Sequence, residues 1–306
     1  LILTMGLVGF IPITSQKTRV NDGFSVVTMD MGNGTCHLIM TKRSTFLFDG
    51  GSLEKQSCGR DVILPVLKNN GVRKIDGIFI SHANFDHFSG LAEIIGRVPI
   101  GRFFIGESFH RNASSNQDGA PGRMIRLMKS WRIPFVVVSA DDSIMTMDVE
   151  FVVHHPPRGV VYQRENNNSL VVSLKRENEE DGCATIMFTG DIEERAMRDI
   201  IDGRVEFPRP LILEAPHHGS IQKSTEEFIG SMNPRLLVQS TGMKRLRRDR
   251  LSEIMTRHGD IVRLDTASHG LIRFDIGGSQ DHVVARTTLT RKVIRVDGSR
   301  KKELLM

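Results

Sequence analysis

The loop after the apolar run at residues 75–80 carries four potential metal ligands within six residues: His82, Asn84, Asp86 and His87. Neutral imidazole nitrogens and carboxylate oxygens bind divalent cations at roughly 2.0–2.2 Å. Side chains at this spacing converge when the backbone folds back on itself, whereas an extended strand points alternate residues to opposite faces. The stretch therefore predicts a metal site, and the alternative is a solvated loop rich in polar residues.

Apolar elements on both sides hold this loop in place. Residues 75–80 predict a buried strand, and residues 90–95 predict the start of a helix. A strand-to-helix loop is a common position for reactive groups, because rigid elements fix both of its ends.

Two later segments are built in the same way. The strand at residues 185–188 leads to Asp191 and then to a predicted helix at residues 192–201, and the strand at residues 211–214 delivers His217 and His218. Three strands that each place ligands at the C-terminal end are what one shared metal cavity requires.

Other polar residues are candidates for positions around the site. Asp49 follows the apolar run at residues 45–48 and precedes two glycines, so it either orients the metal loop or serves as a turn residue. Asn166 and Ser169 stand directly before a strand, where the amide either reaches an anion or a metal or belongs to a turn. His154 and His155 precede two prolines, and a strand that ends there explains them without a metal.

Hydrophobic periodicity predicts the remaining elements. Strands are expected at residues 24–29 and 36–40, which form a hairpin, and at 45–48, 102–105, 135–138, 149–153, 169–174 and 184–188. Helices are expected at 61–68 and 124–131, the second with Met124, Met128 and Trp131 in the core. Residues 107–122 are expected to form a long surface loop. The repeated pattern indicates two similar β-rich halves rather than two independent domains.

The composition is that of an ordinary globular protein, because 39% of its 306 residues are hydrophobic and 25% are charged. The formal charge of +5 and the pI near 9.3 permit a phosphate-bearing partner without requiring one. Cys36, Cys58 and Cys183 stand far apart without a CxxC pair. This spacing argues against a disulfide framework and against a thiolate zinc site.

Residues 1–20 are predicted to form an apolar tail, and residues 21–306 one domain. The apolar residues 1–13 fall short of the ~20 residues that span a bilayer. The tail is either the end of a membrane helix or the remnant of a signal peptide.

A basic run between residues 244 and 250 contains Lys244, Arg245, Arg247 and Arg248. Such a run neutralises phosphates along a nucleic-acid backbone and releases counterions. It suits equally well the solvated first turn of a helix that ends near His258, and both interpretations stay open.

Four motifs occur in the order of the metallo-β-lactamase superfamily: Asp49-Gly50-Gly51, His82-x-x-x-Asp86-His87, Thr189-Gly190-Asp191 and His217-His218-Gly219-Ser220. Within it, residues 29–34, the Asn166-x-x-Ser169 pattern and residues 215–220 resemble the C-terminal hydrolase domain of ComEC-type competence proteins, which act in DNA uptake. The resemblance covers roughly residues 24–276. It implies an α+β fold, the αββα four-layer sandwich, in which two mixed sheets lie between helices.

The resemblance also implies one or two divalent ions, zinc or manganese, at one edge of the sandwich. A first ion position would use His82 and Asn84, and a second would use Asp86, His87 and one histidine of the 217–218 pair, preferably His217. Asp191 would bridge the two positions, and Asp86 and Asp191 would be the catalytic residues. Asp49, Asn166 and Ser169 would support these ligands from behind.

The implied activity is metal-dependent hydrolysis, as a phosphodiesterase or nuclease that acts on DNA during its uptake. The domain would lie beside the membrane channel portion of a longer chain, which makes it membrane-associated; a soluble chain is the alternative. The sequence indicates no oligomeric state.

Two departures from the superfamily pattern support a second hypothesis. Asn84 replaces the second histidine, which is an aspartate in competence-type relatives, and Asn166 and Ser169 replace the histidine of the third motif. A neutral amide offers no negative charge and weakens the first ion position. The alternative to an enzyme is therefore a non-catalytic nucleic-acid-binding or scaffolding domain.

Overall fold

The computed structural model describes residues 23–176, 186–203, 211–277, 282–296 and 301–305. The predicted tail at residues 1–20 and Cys183 lie outside these ranges. None of the helices in the described ranges combines the length and the hydrophobicity that a membrane span requires.

The strands in chain order are β1 (Phe24–Thr28), β2 (His37–Met40), β3 (Thr45–Phe48), β4 (Gly77–Ile80), β5 (Phe103–Gly106), β6 (Phe135–Val138), β7 (Ser143–Met145), β8 (Val149–His155), β9 (Val171–Arg176), β10 (Ile186–Phe188), β11 (Ile212–Glu214), β12 (Leu236–Gln239), β13 (Val262–Asp265), β14 (Ile272–Gly277), β15 (His282–Thr287), β16 (Lys292–Val296) and β17 (Lys301–Leu305). The helices are α1 (Leu64–Asn69), α2 (Phe85–Phe88), α3 (Leu91–Ile94), α4 (Glu107–Ser115), α5 (Ala120–Ser130), α6 (Glu194–Asp202), α7 (Thr225–Met232), α8 (Met243–Leu246), α9 (Leu251–Arg257) and α10 (Thr266–His269). A π-helical turn, Gly59–Ile63, runs into α1, and single 3-10 turns occur at Glu165–Asn168 and Pro216–Gly219.

The described strands form two mixed sheets. The first has the order β17-β16-β15-β14-β1-β2-β3-β4-β5-β6, and the second has the order β13-β12-β11-β10-β9-β8-β7. In the first sheet the pairs from β3 to β6 are parallel and those from β17 to β3 antiparallel. In the second sheet the pairs from β10 to β13 are parallel, and those from β7 to β10 are antiparallel. The C-terminal strands thus return to the first sheet beside β1.

Aromatic side chains join the two sheets face to face. Phe48 of β3 stacks on Phe188 of β10 with ring centroids 4.7 Å apart, and Phe79 of β4 meets Phe151 of β8 at 5.1 Å. Helices α1, α3, α4 and α5 cover the outer face of the first sheet, and α6, α7 and α9 cover that of the second. Every residue of β4 is buried, because a parallel strand inside such layers is covered on both faces. The predicted αββα four-layer sandwich is confirmed.

The loops that follow β3, β4, β10 and β11 meet at one edge of the sandwich. The Gly50 amide donates to the carbonyl of His87 at 2.7 Å, and the Leu170 amide donates to the carbonyl of Ser81 at 2.9 Å. The His217 amide donates to the carbonyl of Gly190 at 3.0 Å. Backbone hydrogen bonds therefore tie the loop of His87 to that of Asp49, and the loop of His217 and His218 to that of Asp191.

Two predictions on the helical layer were wrong. Residues 107–122 are not a loop, because α4 occupies Glu107–Ser115 and α5 begins at Ala120. Phe109 and Ala113 lie one turn apart on α4 and bury themselves against the sheet, but the polar residues between them hide this pattern in the sequence. Trp131 is 55% exposed because it caps the end of α5, whereas Met124 and Met128 are buried as predicted.

His154 and His155 are strand residues of β8, as their prolines suggested. The ring of His155 is buried, and its Nε2–H donates to the carbonyl of Asn167 at 2.9 Å. His154 Nε2 lies 2.7 Å from the hydroxyl of Ser173. Burial lowers the pKa of both imidazoles to about 4.

The buried ring of His155 should make the stability of the protein depend on pH. The pKa of His155 is about 4 in the folded chain, below the usual 6.5, so the folded state favours the neutral ring. The contribution of His155 to the free energy of unfolding is therefore complete above pH 6.5 and is lost as the pH falls toward 4. We expect this residue to remove about 2 kcal/mol from the free energy of unfolding between pH 7 and pH 5. Urea unfolding with a chelator present measures this loss.

His155→Gln keeps a donor for the Asn167 carbonyl but does not titrate, so it should lose less stability than the wild type over this interval. His110→Gln, at an exposed histidine, should follow the wild type. Equal losses in His155→Gln and wild type would contradict the prediction.

Candidate metal centre

The metal loop becomes helical earlier than the sequence suggests. Asn84 has extended backbone angles and stands at the N-cap of α2, which begins at Phe85 and is separated from the end of β4 by four residues. The single turn of α2 turns Asp86 and His87 back toward the edge of the sheets. One turn of helix thus provides the folding back of the chain that the spacing of the candidate ligands requires.

Asp86, His87, Asp191 and His218 form one cluster, whose potential ligand atoms lie within 4.8 Å of one another. His87, Asp191 and His218 are buried, and Asp86 is partly exposed. His87 Nε2 is 3.2 Å from Asp191 Oδ1. His218 Nε2 is 3.4 Å from Asp86 Oδ2 and 3.6 Å from Asp191 Oδ2. The structure therefore brings together residues from all three predicted segments.

These four side chains fit a divalent cation. The Nε2 atoms of His87 and His218 are buried and make no hydrogen bond to any described residue, although carboxylate oxygens lie near them. A buried polar atom without a hydrogen bond is costly, and a shared ion satisfies both nitrogens at once. Two imidazoles and two carboxylates are a donor set that zinc and manganese both accept.

Charges in the cluster favour a positive group at its centre. Burial opposes ionisation of His87, but Asp191 and Asp49 outweigh it and raise the pKa of His87 well above its usual value. Burial also opposes the charge on Asp191, yet His218 and His87 hold the pKa of Asp191 well below its usual range. The carboxylates thus stay ionised and attract a cation.

His82 lies beside this cluster. Its Nδ1 is 3.0 Å from the hydroxyl of Ser81, and its ring centroid is 4.3 Å from that of His87. Its Nε2 is buried and makes no hydrogen bond to the described residues. Burial, followed by the influence of His87, lowers the pKa of His82 to about 3, which keeps this imidazole neutral and able to bind a metal.

Asp49 orients the ring of His87. The Nδ1–H of His87 donates to Asp49 Oδ2 at 2.6 Å, and the amide and the hydroxyl of Ser81 also donate to this carboxylate, at 2.7 and 2.8 Å. With the Nδ1 proton held there, Nε2 is left facing the cluster. Of the two interpretations of Asp49, the geometry favours the orienting residue over the plain turn.

Ser169 and Glu214 hold the loop that carries Asp191. The Asp191 amide donates to the hydroxyl of Ser169 at 3.0 Å, and the amides of Thr189 and Gly190 donate to Glu214 Oε2 at 2.8 and 3.1 Å. Gly190 has a φ of +53°, and a Cβ there would lie 2.9 Å from the Cβ of Ser81. The loop thus needs glycine for both its conformation and its close packing.

Sequence reasoning missed Glu214 and its partner His37. The Nε2–H of His37 donates to Glu214 Oε1 at 2.9 Å, and the hydroxyl of Thr28 donates to His37 Nδ1 at 2.9 Å. Both His37 and Glu214 are buried, and they connect β2 of the first sheet with β11 of the second. The sequence signal that could have revealed this pair is a titratable residue in each of two otherwise apolar runs.

His218, rather than the preferred His217, completes the cluster. Both residues have positive φ, 47° and 53°. This left-handed turn sends the second ring inward, where its Nδ1–H donates to the carbonyl of Ser240 at 3.0 Å. His217 stays partly exposed, with Nε2 at 3.6 Å from Asp191 Oδ2 and Nδ1 at 3.5 Å from Glu193 Oε1. The structure thus places His218, and not His217, in the cluster of candidate ligands, and which of the two binds a metal stays a prediction.

Asn84 and Asn166 both lie beside the centre, but they bond to each other. Asn84 Nδ2 donates to Asn166 Oδ1 at 2.6 Å, and Asn166 Nδ2 donates to Glu193 Oε1 at 3.0 Å. At the predicted first ion position, the structure thus places a hydrogen-bonded amide pair.

The basic run borders the centre. Lys244, Arg247 and Arg248 are exposed on and after α8, ahead of α9, whose last residue is Arg257. Arg245 is partly buried and donates to the carbonyl of His217 at 3.3 Å and to the hydroxyl of Ser220. A positively charged segment therefore touches the backbone of the loop that carries His218.

Comparison with known proteins agrees with this geometry. The profile of the Metallo-beta-lactamase superfamily matches residues 29–160, which include the metal loop. This part of the chain is therefore similar to the superfamily. The structure of the metallo-beta-lactamase fold protein YhfI from Bacillus subtilis superposes with a TM-score of 0.53 and 10% identity, over 82% of this chain and 100% of that one. This likeness shows the fold alone.

Two curated proteins are similar to this chain. Competence protein ComA of Neisseria gonorrhoeae is 24% identical over 277 residues, which are 89% of this chain and 35% of that protein. ComE operon protein 3 of Bacillus subtilis is 25% identical over 265 residues, which are 80% of this chain and 32% of that protein. The chain spans about a third of the length of these relatives, and the resemblance stated from its motifs is confirmed.

Metal content should separate the two adjacent histidines. His218→Ala removes a buried member of the cluster, and Asp191→Ala removes the carboxylate that the other members surround, so both variants should lose most of their bound metal at equilibrium. His217→Ala should retain more metal than either. Elemental analysis after dialysis against a fixed manganese or zinc concentration measures this order.

Circular dichroism of each variant controls for folding. Full metal content in Asp191→Ala, or a larger loss in His217→Ala than in His218→Ala, would show that the ligand set is wrong.

Proposed function

We propose that this chain is a metal-dependent phosphodiesterase that cleaves DNA and works beside the membrane channel portion of a longer competence-type protein. The observation that carries the proposal is the cluster of two imidazoles and two carboxylates with a basic segment against its outer loop. The similarity to a competence protein supports DNA as the substrate, because the resemblance of the motifs to ComEC-type proteins implies a role in DNA uptake.

The residues divide the work between holding an ion and holding a phosphate. Asp86, His87, Asp191 and His218 would bind the cation, with Asp49 orienting His87 and Glu214 fixing the loop of Asp191. A divalent cation there lowers the pKa of a bound water toward ~7 and stabilises charge on a phosphate oxygen. Lys244, Arg245, Arg247 and Arg248 attract the phosphate backbone and position it at the edge of the centre.

Asn84 weakens the first ion position in this proposal. The position offers His82 and Asp191, but the amide of Asn84 is neutral and already donates to Asn166 at 2.6 Å. A position short of negative charge binds any ion less tightly, and an oxygen donor favours manganese over zinc. We therefore propose one well-formed ion position and a weaker neighbour that fills at higher manganese concentration.

A non-catalytic nucleic-acid-binding or scaffolding domain is the second candidate. The paired amides of Asn84 and Asn166 favour it, since they stand where the superfamily pattern has ionisable ligands. In that case the basic segment, rather than the metal cluster, would carry the function.

Cleavage of single-stranded DNA in the presence of manganese tests the enzyme. Asp86→Asn keeps the size of the side chain but removes an anionic ligand, so the rate should fall by roughly 100-fold or more. Asp118→Asn is the matched control, because the Asp118 side chain is 98% exposed on the helical layer, and its rate should equal that of the wild type.

Asn84→Asp tests the weakened ion position. The new carboxylate cannot donate to Asn166 and supplies the missing negative charge, so cleavage should increase at limiting manganese. The gain should shrink as manganese is raised, because mass action fills a weak site. If neither wild type nor Asn84→Asp cleaves at any manganese concentration, while salt-sensitive DNA binding survives Asp86→Asn, the chain is a binding domain.

A further inference from the structure

Three exposed apolar side chains lie on the segments that surround the metal centre. Leu53, Phe85 and Met243 are 58%, 54% and 56% exposed. Burying apolar surface stabilises a protein or complex by roughly 25 cal/mol for each Å² removed from water. A large apolar side chain that stays exposed forgoes this stabilisation. A ligand bound at the centre would remove these side chains from water if it reached the three segments that carry them.

The backbone connects each of these residues to the centre. Phe85 directly precedes the ligand Asp86, and Met243 opens α8, which places Arg245 on the carbonyl of His217. Leu53 follows Gly51, whose missing Cβ would lie within 2.6 Å of the backbone of the Asp86–Phe88 turn.

Phe85 has the most specific geometry of the three. Its ring meets the ring of Phe88 at an interplanar angle of 74° with centroids 6.1 Å apart, and Phe88 belongs to the buried core. The core thus anchors one edge of the Phe85 ring, while more than half of the residue stays open to solvent. A planar aromatic group held in this way is ready to stack on a flat ligand.

The charges near these apolar side chains restrict the ligand further. Lys244, Arg247 and Arg248 are exposed immediately after Met243, so the ligand has to combine flat apolar surfaces with repeated negative charge. A single-stranded nucleic acid offers both, because its bases are unstacked and each residue carries a phosphate. A duplex keeps its base faces covered, and a small phosphate ester needs no apolar rim.

We propose that Phe85 is a stacking position for a nucleobase of single-stranded nucleic acid, next to the metal centre. The inference rests on the proposed phosphodiesterase function and specifies its substrate as a single strand. Stacking of one base on Phe85 holds the neighbouring phosphate beside Asp86, the next residue along the chain. Because every base has a flat face, this contact selects single strands without selecting a sequence.

The contact can be tested without cleavage by measuring the binding of a fluorescently labelled thymidine oligonucleotide to the full chain. Fluorescence anisotropy monitors the binding, and EDTA prevents metal-dependent cleavage. An abasic oligonucleotide of the same length carries the same phosphates but no bases. Phe85→Ala should bind the thymidine oligonucleotide about tenfold more weakly and the abasic one as the wild type does. Phe85→Trp should retain binding, and Phe85→Leu, which is apolar but not flat, should not.

Trp131→Ala is the matched control, because Trp131 is a similarly exposed aromatic residue, 55% exposed, at the end of α5. It should bind both oligonucleotides as the wild type does. Equal metal content in Phe85→Ala and wild type shows that the Asp86 turn is intact.

The outcomes separate this inference from the proposed function. If Phe85→Ala binds the thymidine oligonucleotide like the wild type, or weakens both oligonucleotides equally, the stacking position is refuted even when the protein cleaves DNA. If Phe85 supports base-dependent binding but no variant or condition gives cleavage, the stacking position stands and the phosphodiesterase does not.

Discussion

Three carboxylates are buried at the edge where the two sheets meet, and the rest of the centre depends on how they are satisfied. A buried carboxylate is strongly unfavourable unless hydrogen bonds or opposite charges compensate it. Asp49 receives donors from Ser81 and His87, and Glu214 receives them from Thr189, Gly190 and His37. Apart from His37 on β2, the donors lie on the loops that bear the candidate ligands, so satisfying Asp49 and Glu214 also fixes the positions of His87 and Asp191. The third carboxylate, Asp191, is left facing the two imidazoles.

The sandwich makes this convergence possible because both sheets end at the same edge. His87 and Asp86 follow β4 of the first sheet, whereas Asp191 and His218 follow β10 and β11 of the second. An ion bound between them would hold the two sheets together as well as serve chemistry. The His37–Glu214 hydrogen bond already makes such a connection in the layer behind the ligands.

Around the centre, polar and apolar groups have separate roles in the proposed function. The basic side chains from Lys244 to Arg248 act on charge at long range, and the exposed ring of Phe85 acts only on contact. Asn84 belongs to neither group: its amide is committed to Asn166, which explains how a ligand position of the superfamily pattern can lose its charge without leaving a buried gap. The missing charge at Asn84 would weaken metal binding in the proposed phosphodiesterase, whereas it would not affect a domain that only binds nucleic acid.

Local pattern predicted most of the strands from β1 to β11, the loops that follow them and Asp86, His87 and Asp191 as candidate ligands, because each signal lies within a few consecutive residues. The four motifs together determined the sandwich. Tertiary structure alone decided that His218 turns inward, that α4 forms where polar residues suggested a loop, and that Trp131 faces solvent. It also paired His37 with Glu214 across 177 residues and Asn84 with Asn166 across 82 residues. Such contacts leave no periodic trace in the sequence, because the partner of a buried polar group is set by which loops the packed sheets bring together.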